Sequence, residues 1–300
     1  MKYSQVAMPA DAMRVLILGA YGMLGHKLFL ELGKRFETYA TCREIRKGDR
    51  WSALFPKERL VPGVQVERMD SVDDAVKRTK PDAVINCIGI VKQLDAAKDL
   101  ARSLEVNSLF PHRLSVICRA RDARLVHFST DCVFSGRKGK YKPTDTPDAD
   151  DVYGRTKYLG ELEGDGCVTI RSSIIGRELG TSNGLIEWFI GQKGKAVSGY
   201  RKAVYSGFTT LEMANIVSKV LVEHEDMKGV WHVASKRISK YDLLDIVNRK
   251  MGLGIEIRPD DKFQCDRSLD GSEFNRLTGY SPPSWDEMIG KMVEDKAAYG

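Results

Sequence analysis

The chain alternates short apolar runs with segments whose apolar residues recur at helical spacing. Residues 13–18 form an apolar run typical of a buried strand, and Leu24, Leu28 and Leu32 follow on one helical face. Such alternation predicts an α/β fold with a doubly wound parallel sheet, because parallel strands need crossover connections. The other predicted strands are 36–42, 64–69, 82–87, 124–129 and 167–172, with helical segments between most of them and a helix at 151–163.

Beyond about residue 176 the spacing of apolar positions changes. Ser284 and Glu287, directly after two prolines, predict a capping box at the start of the last helix. We therefore expect a smaller mixed C-terminal lobe over the carboxyl ends of the strands, where open sheets bind ligands. Its predicted helices are 185–190, 211–223, 240–251 and 285–295, and its predicted strands are 229–234 and 255–258.

Composition narrows the class of protein. The 300 residues include 47 basic and 41 acidic side chains, and the net charge of +6 is spread without a long basic block, which favours a local anionic ligand over nucleic acid. No apolar run reaches the ~18 residues of a membrane span. The six cysteines and five histidines are scattered. We expect reduced thiols, no metal, a cytoplasmic protein, and a flexible leader at residues 1–12.

The first strand is followed by a glycine run suited to a dinucleotide pyrophosphate. In this run Gly19 permits the turn, Gly22 lets the backbone approach phosphate, and Gly25 lets the helix lie against the sheet. The pattern supports a Rossmann-type nucleotide domain at residues 13–176, to which segments at about 204–236 return, and a mainly substrate-binding lobe at 177–300. The predicted contacts here are Gly19, Tyr21, Gly22, Met23, Leu24 and Gly25.

The end of the second strand indicates which dinucleotide is bound. Arg43, followed by Arg46 and Lys47, offers cations to a 2′-phosphate, which favours NADP(H) over NAD(H). Asp70, placed with Ser71 at the end of the third predicted strand, is expected to accept a hydrogen bond from the adenine amino group. After the fourth strand the backbone must pass near the cofactor, so the expected contacts there are Cys87, Ile88 and Gly89.

Hydroxyl and amine side chains near the fifth strand predict carbonyl chemistry. Tyr153 and Lys157 lie one helical turn apart, downstream of Ser129 and Thr130 at the end of that strand. Hydride addition to a carbonyl leaves an alkoxide-like oxygen that needs a proton and a hydrogen-bond donor. We expect Tyr153 to supply the proton, with its pKa lowered by the Lys157 ammonium, and Thr130 to orient the substrate oxygen.

These motifs resemble the extended short-chain dehydrogenase/reductases, and within them the dTDP-4-dehydrorhamnose reductase-like group. The segment 126–136, VHFSTDCVFSG, is similar to that group's Ser-Thr-Asp-x-Val-Phe-x-Gly, and the segment 152–161, VYGRTKYLGE, is similar to its Val-Tyr-Gly-x-Thr-Lys-x-x-Gly-Glu. The resemblance implies catalytic roles for Thr130, Tyr153 and Lys157. It also implies cofactor roles for Lys157, Ser129, Tyr153, Ser172 and Ser173, and for Asn107 as a helix-embedded asparagine.

The resemblance implies NADPH-dependent reduction of the 4-keto group of a nucleotide-linked 6-deoxy sugar. Ile174 stands where the rhamnose enzymes have an aromatic residue, so the particular sugar stays open. A sugar nucleotide epimerase or dehydratase, and a non-catalytic regulatory subunit, remain alternatives; a homodimer is common in the superfamily. The candidate substrate contacts are Lys92, Thr130, Asp131, Cys132, Val133, Tyr153, Asn183, Arg201, Lys202 and Phe208, with Arg201 and Lys202 facing the diphosphate and Phe208 stacking on the base.

Overall fold

A parallel sheet of seven strands forms the centre of the computed structural model, which describes residues 13–46, 48, 50–91, 99–295 and 299. The strand order is β10-β6-β5-β4-β1-β2-β3, and every neighbouring pair is parallel. The predicted doubly wound sheet is confirmed. Its strands are β1 Arg14–Leu18, β2 Glu37–Thr41, β3 Leu60–Val61, β4 Ala83–Asn86, β5 Arg124–Ser129, β6 Cys167–Arg171 and β10 Gly229–His232.

Helices cover both faces of this sheet. Val15 and Ile17 of β1 face a core shared with α1 and α7, whereas Leu16 and Leu18 face a core shared with α2 and α4. Because both faces are buried, the central strands are apolar throughout. The helices on the sheet are α1 Met23–Leu32, α2 Met69–Thr79, α3 Leu100–Ser103, α4 Phe110–Arg119, α5 Val152–Leu159 and α7 Thr210–Glu223, and a π-helix, Leu104–Leu109, joins α3 to α4.

The strand order reverses between β1 and β4. From β1 the chain proceeds to β2 and β3 on one side and to β4, β5 and β6 on the other. In open α/β sheets such a reversal leaves a crevice at the carboxyl ends of the two strands. The glycine run follows β1 and residues 87–89 follow β4, so both segments lie at this crevice.

The prediction of a third strand at 64–69 was wrong. The strand is Leu60–Val61, which pairs with Ala40 and Thr41 of β2. Gly63, with φ +81°, then turns the chain. Residues 65–68 form a turn closed by the Ser71 hydroxyl, which donates to the Arg68 carbonyl at 2.6 Å. Val64 and Val66 alternate as the buried residues of a strand do, because the side chains of this segment also pack in the core.

The C-terminal lobe adds a second, three-stranded sheet of order β11-β8-β12. Its strand β8 was not predicted, because the buried face of this strand is formed by Val197, Gly199, Ala203 and Tyr205, and the glycine and the alanine weaken the apolar alternation. Strand β12 was predicted only as 255–258, because most of its side chains are exposed. The remaining strands are β7 Ile174–Ile175, β8 Ala196–Tyr205, β9 Phe208–Thr209, β11 Ile238–Ser239 and β12 Glu256–Asp266. The remaining helices are α6 Leu185–Ile190, α8 Lys240–Met251, α9 Ser272–Thr278 and α10 Trp285–Glu294.

Several predicted boundaries agree with the structure. Helices α6 and α8 have the predicted bounds, and the capping box of Ser284 and Glu287 is formed at the start of α10. Among the described residues, no helix has both the length and the apolar content that crossing a bilayer would require.

Candidate active site

The three glycines after β1 have different local environments. Gly19 has φ +96°, a conformation that favours glycine, and a Cβ on Gly25 would overlap the Gly19 carbonyl. A Cβ on Gly22, in contrast, would make only an ordinary contact of 3.5 Å with that carbonyl. The protein itself therefore leaves room at Gly22, and the space beside it is available to a ligand.

A cleft of ≈530 Å³ opens beside this turn, at the carboxyl ends of β1, β2 and β4. Helix α1 begins there without a side-chain cap or an acidic residue in its first turn, so its first N–H groups are open to an anion. A glycine turn, an uncapped helix N-terminus and basic side chains fit a dinucleotide. The lining residues are Gly19, Ala20, Tyr21, Gly22, Thr41, Cys42, Arg43, Glu44, Arg46, Cys87, Ile88 and Gly89.

Most of the predicted dinucleotide contacts at this crevice line the cleft, and five do not. Met23, Leu24 and Gly25 lie in the first turn of α1 and are outside the lining. Asp70 and Ser71 are also outside it. The predicted position of Asp70 was wrong: it lies in the first turn of α2, exposed, with its carboxylate 3.3 Å from Arg68. Asp70 was predicted at the end of the third strand, but that strand already ends at Val61.

Basic side chains occupy one wall of the cleft. The Arg46 guanidinium lies 4.6 Å from the Tyr21 ring centroid and donates to the Leu179 carbonyl at 3.1 Å. Arg43 is exposed and lines the cleft beside an acidic neighbour, Glu44. Arg46 therefore joins the cleft to the segment after β7, while Arg43 faces the open space.

Helix α5 presents Tyr153 and Lys157 beside the turn that follows β5. Its N-terminus is capped by Asp151, whose Oδ1 accepts from the Gly154 N–H at 2.8 Å. A Cβ on Gly154 would overlap the Cys132 carbonyl, and a Cβ on Gly160 would overlap the Asn107 carbonyl. Two glycines therefore allow the helix backbone to contact both neighbours directly.

The phenol of Tyr153 and the hydroxyl of Thr130 lie together at this turn. Burial is the largest effect on the Tyr153 phenol and raises its pKa, and a hydrogen bond with the Thr130 side chain opposes this effect. The Thr130 hydroxyl donates to Asp131 Oδ1 at 3.2 Å and accepts from the Cys132 N–H at 3.1 Å. Burial also raises the pKa of Asp131.

Lys157 interacts with the backbone of β5. Its Nζ donates to the Phe128 carbonyl at 2.6 Å. Burial lowers the pKa of Lys157 to about 8, and Glu161 opposes that shift. We expected Lys157 to lower the pKa of Tyr153, and the expected lowering was wrong: burial, the largest cause, raises this pKa above its ordinary value. The phenol is therefore protonated at neutral pH.

Three predicted cofactor side chains have partners within the protein. Asn107, buried in the π-helix, accepts from the Ile90 N–H at 2.9 Å and donates to the Thr156 hydroxyl at 3.3 Å. Ser129 donates to Glu161 at 2.6 Å, and Ser172 donates to the Ser173 carbonyl at 3.3 Å. These side chains thus fix the segments that surround the site.

The structure corrects several predicted substrate contacts. Phe208 and Val133 are fully buried in apolar clusters, so neither ring stacking by Phe208 nor a ligand contact by Val133 fits the structure. Arg201 is an exposed residue of β8 whose Nε donates to Asp261 at 3.0 Å, so its charge is already paired. Lys202 is exposed on the same strand.

The remaining candidates are spread around the site. Asn183 is exposed in a loop, where its N–H donates to Glu178 at 2.8 Å. Asp131 is buried and Cys132 is half-buried at the turn beside Tyr153. Lys92 lies outside the described residues. Sequence reasoning missed Arg267 of the lobe, whose Nε donates to the Phe134 carbonyl at 2.8 Å, because no motif distinguishes it.

A family profile matches most of this chain, and curated relatives match about half of it. A profile of the family described as RmlD substrate binding domain matches residues 13–297. The dTDP-4-dehydrorhamnose reductase of Mycolicibacterium smegmatis is 35% identical over 156 residues, which are 50% of this chain and 41% of that protein. The dTDP-4-keto-6-deoxy-D-glucose reductase of Streptomyces niveus is 32% identical over 171 residues, 55% of this chain and 54% of that protein. The chain thus spans about half the length of these curated relatives.

Solved structures share the fold. The dTDP-4-dehydrorhamnose reductase of Bacillus anthracis in complex with NADP has a TM-score of 0.77 at 21% identity, covering 95% of this chain and 99% of that one. The Bordetella bronchiseptica enzyme WbmG in complex with NAD and UDP has a TM-score of 0.77 at 19% identity, covering 98% and 97%.

We predict that Gly22→Ala weakens dinucleotide binding at least about tenfold without unfolding the protein, because the added methyl group occupies the approach of the phosphate. Binding is measured by titration of NADPH fluorescence, and folding by thermal unfolding. The matched control is Gly25→Ala, which should lower Tm because its Cβ overlaps the Gly19 carbonyl. Unchanged affinity in Gly22→Ala would exclude this glycine from the binding site.

Proposed function

The chain belongs to the RmlD substrate binding domain family, and on this premise we propose that it catalyses NADPH-dependent reduction of the 4-keto group of a nucleotide-linked 6-deoxy sugar. One observation supports this proposal most: at the end of β5, the strand next to β4 and its part of the glycine cleft, the Tyr153 phenol bonds the Thr130 hydroxyl and the Lys157 amine bonds the Phe128 carbonyl. The names of the relatives, which are reductases of 4-keto sugar nucleotides, also support it.

The proposed division of labour follows from the two halves of the chain. Residues 13–176, with the return at about 204–236, would hold the dinucleotide, and the rest of 177–300 would hold the sugar nucleotide. Gly19, Gly22 and the start of α1 would hold the pyrophosphate. The bound nicotinamide would supply hydride to the carbonyl carbon.

The side chains of this chain would manage the proton and the developing charge. Tyr153, whose pKa burial raises, keeps its proton until an alkoxide-like oxygen forms and then donates it. Thr130 would donate a hydrogen bond to the same oxygen and so orient the carbonyl. Lys157, held by the Phe128 carbonyl, would place a positive charge beneath the site. A neutral phenol suits reduction, because that direction consumes a proton.

We predict that Tyr153→Phe loses ~10²–10⁴ in turnover, the usual range for a proton donor, while NADPH still binds. Turnover is measured as NADPH oxidation with dTDP-, UDP- and GDP-linked 4-keto-6-deoxy sugars. The matched control is Tyr158→Phe, an exposed tyrosine of the same helix, which should keep full activity. Product formation without stoichiometric NADPH consumption would instead favour an epimerase or dehydratase.

The cofactor is proposed to be NADP(H) rather than NAD(H). Arg43 faces the open cleft, and Arg46 lies on the same wall, so the positive charge of this wall favours a 2′-phosphate. Glu44 on that wall would oppose a phosphate by like-charge repulsion.

We predict that Arg43→Ala weakens NADPH binding roughly tenfold and NADH binding much less, because only NADPH has the 2′-phosphate. Dissociation constants for both cofactors come from fluorescence titration. Glu44→Gln is the matched control and should strengthen NADPH binding. Equal losses of both cofactors in Arg43→Ala would mean that this arginine does not read the 2′-phosphate.

We also infer that two copies of the chain pair through α4 and α5. Val116 of α4 and Tyr158 and Leu159 of α5 are 44–62% exposed, and Leu109, seven residues before Val116, is 50% exposed. His112 Nε2, 2.8 Å from the Leu159 carbonyl, joins the two helices into one surface. Two-fold pairing would bury this apolar surface against its own copy.

We predict that Val116→Glu converts a dimer into a monomer, because a charge would then be buried at the centre of the pairing surface. Sedimentation velocity measures the mass. The control is Leu277→Glu, an exposed position on α9, which should stay dimeric. A monomeric wild-type protein at micromolar concentration would contradict the inference.

A further inference from the structure

Behind the proposed catalytic residues lies a buried cluster of Ser129, Glu161 and Arg171. Arg171 donates twice to Glu161, from Nε to Oε1 at 2.7 Å and from Nη2 to Oε2 at 2.6 Å. Ser129 donates to the same Oε1 at 2.6 Å. The charged side chains are only 6% and 4% exposed, so this is a buried, bidentate ion pair.

Further contacts complete the cluster on the side of Arg171. Its Nη1 donates to His232 Nε2 at 3.2 Å, and His232 Nδ1 in turn donates to the Tyr141 carbonyl at 3.0 Å. Burial and the Arg171 charge lower the pKa of His232 to about 4, so the imidazole is neutral and can accept from Arg171. The arginine also lies 5.5 Å from the Phe134 ring centroid. Three of the five N–H donors of Arg171 are therefore used, one on each nitrogen, and its orientation is fixed.

Each member of the cluster is close in the chain to a residue of the proposed site. Ser129 precedes Thr130, and Arg171 precedes Ser172. Glu161 follows Lys157 by four residues, just past the end of α5 at Gly160. The cluster therefore joins the end of α5 to the ends of β5 and β6.

We propose that Glu161 is a positioning residue for the reaction proposed above, its carboxylate holding the end of α5 and the ends of β5 and β6 in one arrangement. This inference deepens the proposed function and rests on it for the identity of the reacting groups. The contacts themselves do not depend on the reaction. Glu161 acts on the chemistry through Lys157 and Thr130 and has no contact with the reacting atoms.

The charge of Glu161 also acts on Lys157. Burial lowers the pKa of Lys157 to about 8, and Glu161 is the group that raises it. His127 of β5 also lies near Lys157, and burial holds the pKa of His127 well below its usual range, so its ring is neutral. Glu161 therefore supports the protonated form of Lys157 near neutral pH.

A test without substrate or cofactor uses the unfolding free energy as a function of pH. The folded pKa of Lys157 lies below its unfolded value, so the unfolded chain binds the extra proton and stability rises with pH between about 8 and 10.5. Subtracting the unfolding free energy of Lys157→Met from that of the wild type at each pH isolates the contribution of Lys157. In Glu161→Gln, the same subtraction should show the unfolding free energy beginning to rise about one pH unit lower, because the negative charge that raises the pKa of Lys157 has been removed.

Two further variants keep the test decisive if Glu161→Gln does not fold. In Ser129→Ala the Glu161–Arg171 ion pair is kept, so the unfolding free energy should begin to rise at the same pH as in the wild type. Replacing both Glu161 and Arg171 by Met removes the charges but keeps an apolar core of similar volume, which buried ion pairs often tolerate. This double variant should fold, and its unfolding free energy should begin to rise at the same lowered pH as in Glu161→Gln. It should bind NADPH about tenfold more weakly at pH 8 in fluorescence titration.

The proposal would be overturned if, in both variants that lack the Glu161 carboxylate, the unfolding free energy began to rise at the same pH as in the wild type. Wild-type NADPH affinity in the double variant from pH 6 to 9 would also overturn it. Failure of the proposed reaction is seen elsewhere, as absent NADPH oxidation in the wild type. The two failures are therefore distinguishable.

Discussion

The contact of the α5 backbone with its two neighbours is the constraint on which the proposed site depends. Eight residues are too few for a helix that is stable alone, so tertiary contacts must hold α5 in place. Gly154 lies against the Cys132 carbonyl and Gly160 against the Asn107 carbonyl, at separations where a Cβ would overlap either oxygen. Through these contacts Tyr153 reaches the Thr130 turn and Lys157 reaches β5, so the proposed chemistry depends on glycine positions that take no part in it.

Burial has opposite chemical consequences for Tyr153 and Lys157, the two side chains of this helix that lie at the proposed site. It keeps the phenol of Tyr153 neutral by raising its pKa, and it weakens the proton affinity of Lys157 by lowering its pKa. Both shifts have the same cause, since a buried site disfavours whichever form is charged. Glu161 raises the pKa of Lys157 and so favours a positive charge beneath the site near neutral pH, and Glu161 itself is paired with Arg171. The charge of Lys157 thus depends on residues that lie behind the site.

The glycine cleft and the C-terminal half of the chain are joined by charged side chains that already have partners within the protein. Arg46 packs on Tyr21 and donates to the Leu179 carbonyl, so one cation of the cleft also holds the segment after β7. Nearby, a Cβ on Gly180 would lie 2.7 Å from the Trp51 ring, which shows how closely the two segments pack. In the lobe, Arg201 is paired with Asp261 across β8 and β12. The distribution of paired and open cations therefore decides which charges a phosphate can meet.

The sequence by itself determined the sheet of parallel strands, the glycine turn, and the spacing of Tyr153 and Lys157. These follow from local properties: apolar runs in strands buried on both faces, and conformations that only glycine adopts easily. Tertiary structure alone decided what each side chain faces. It buried Phe208 and Val133, paired Arg201, placed Asp70 at the start of α2, and brought Glu161 and Arg171 together from different elements. Partners distant in the chain leave no periodic pattern, and burial, which sets the pKa values, exists only once the elements have packed.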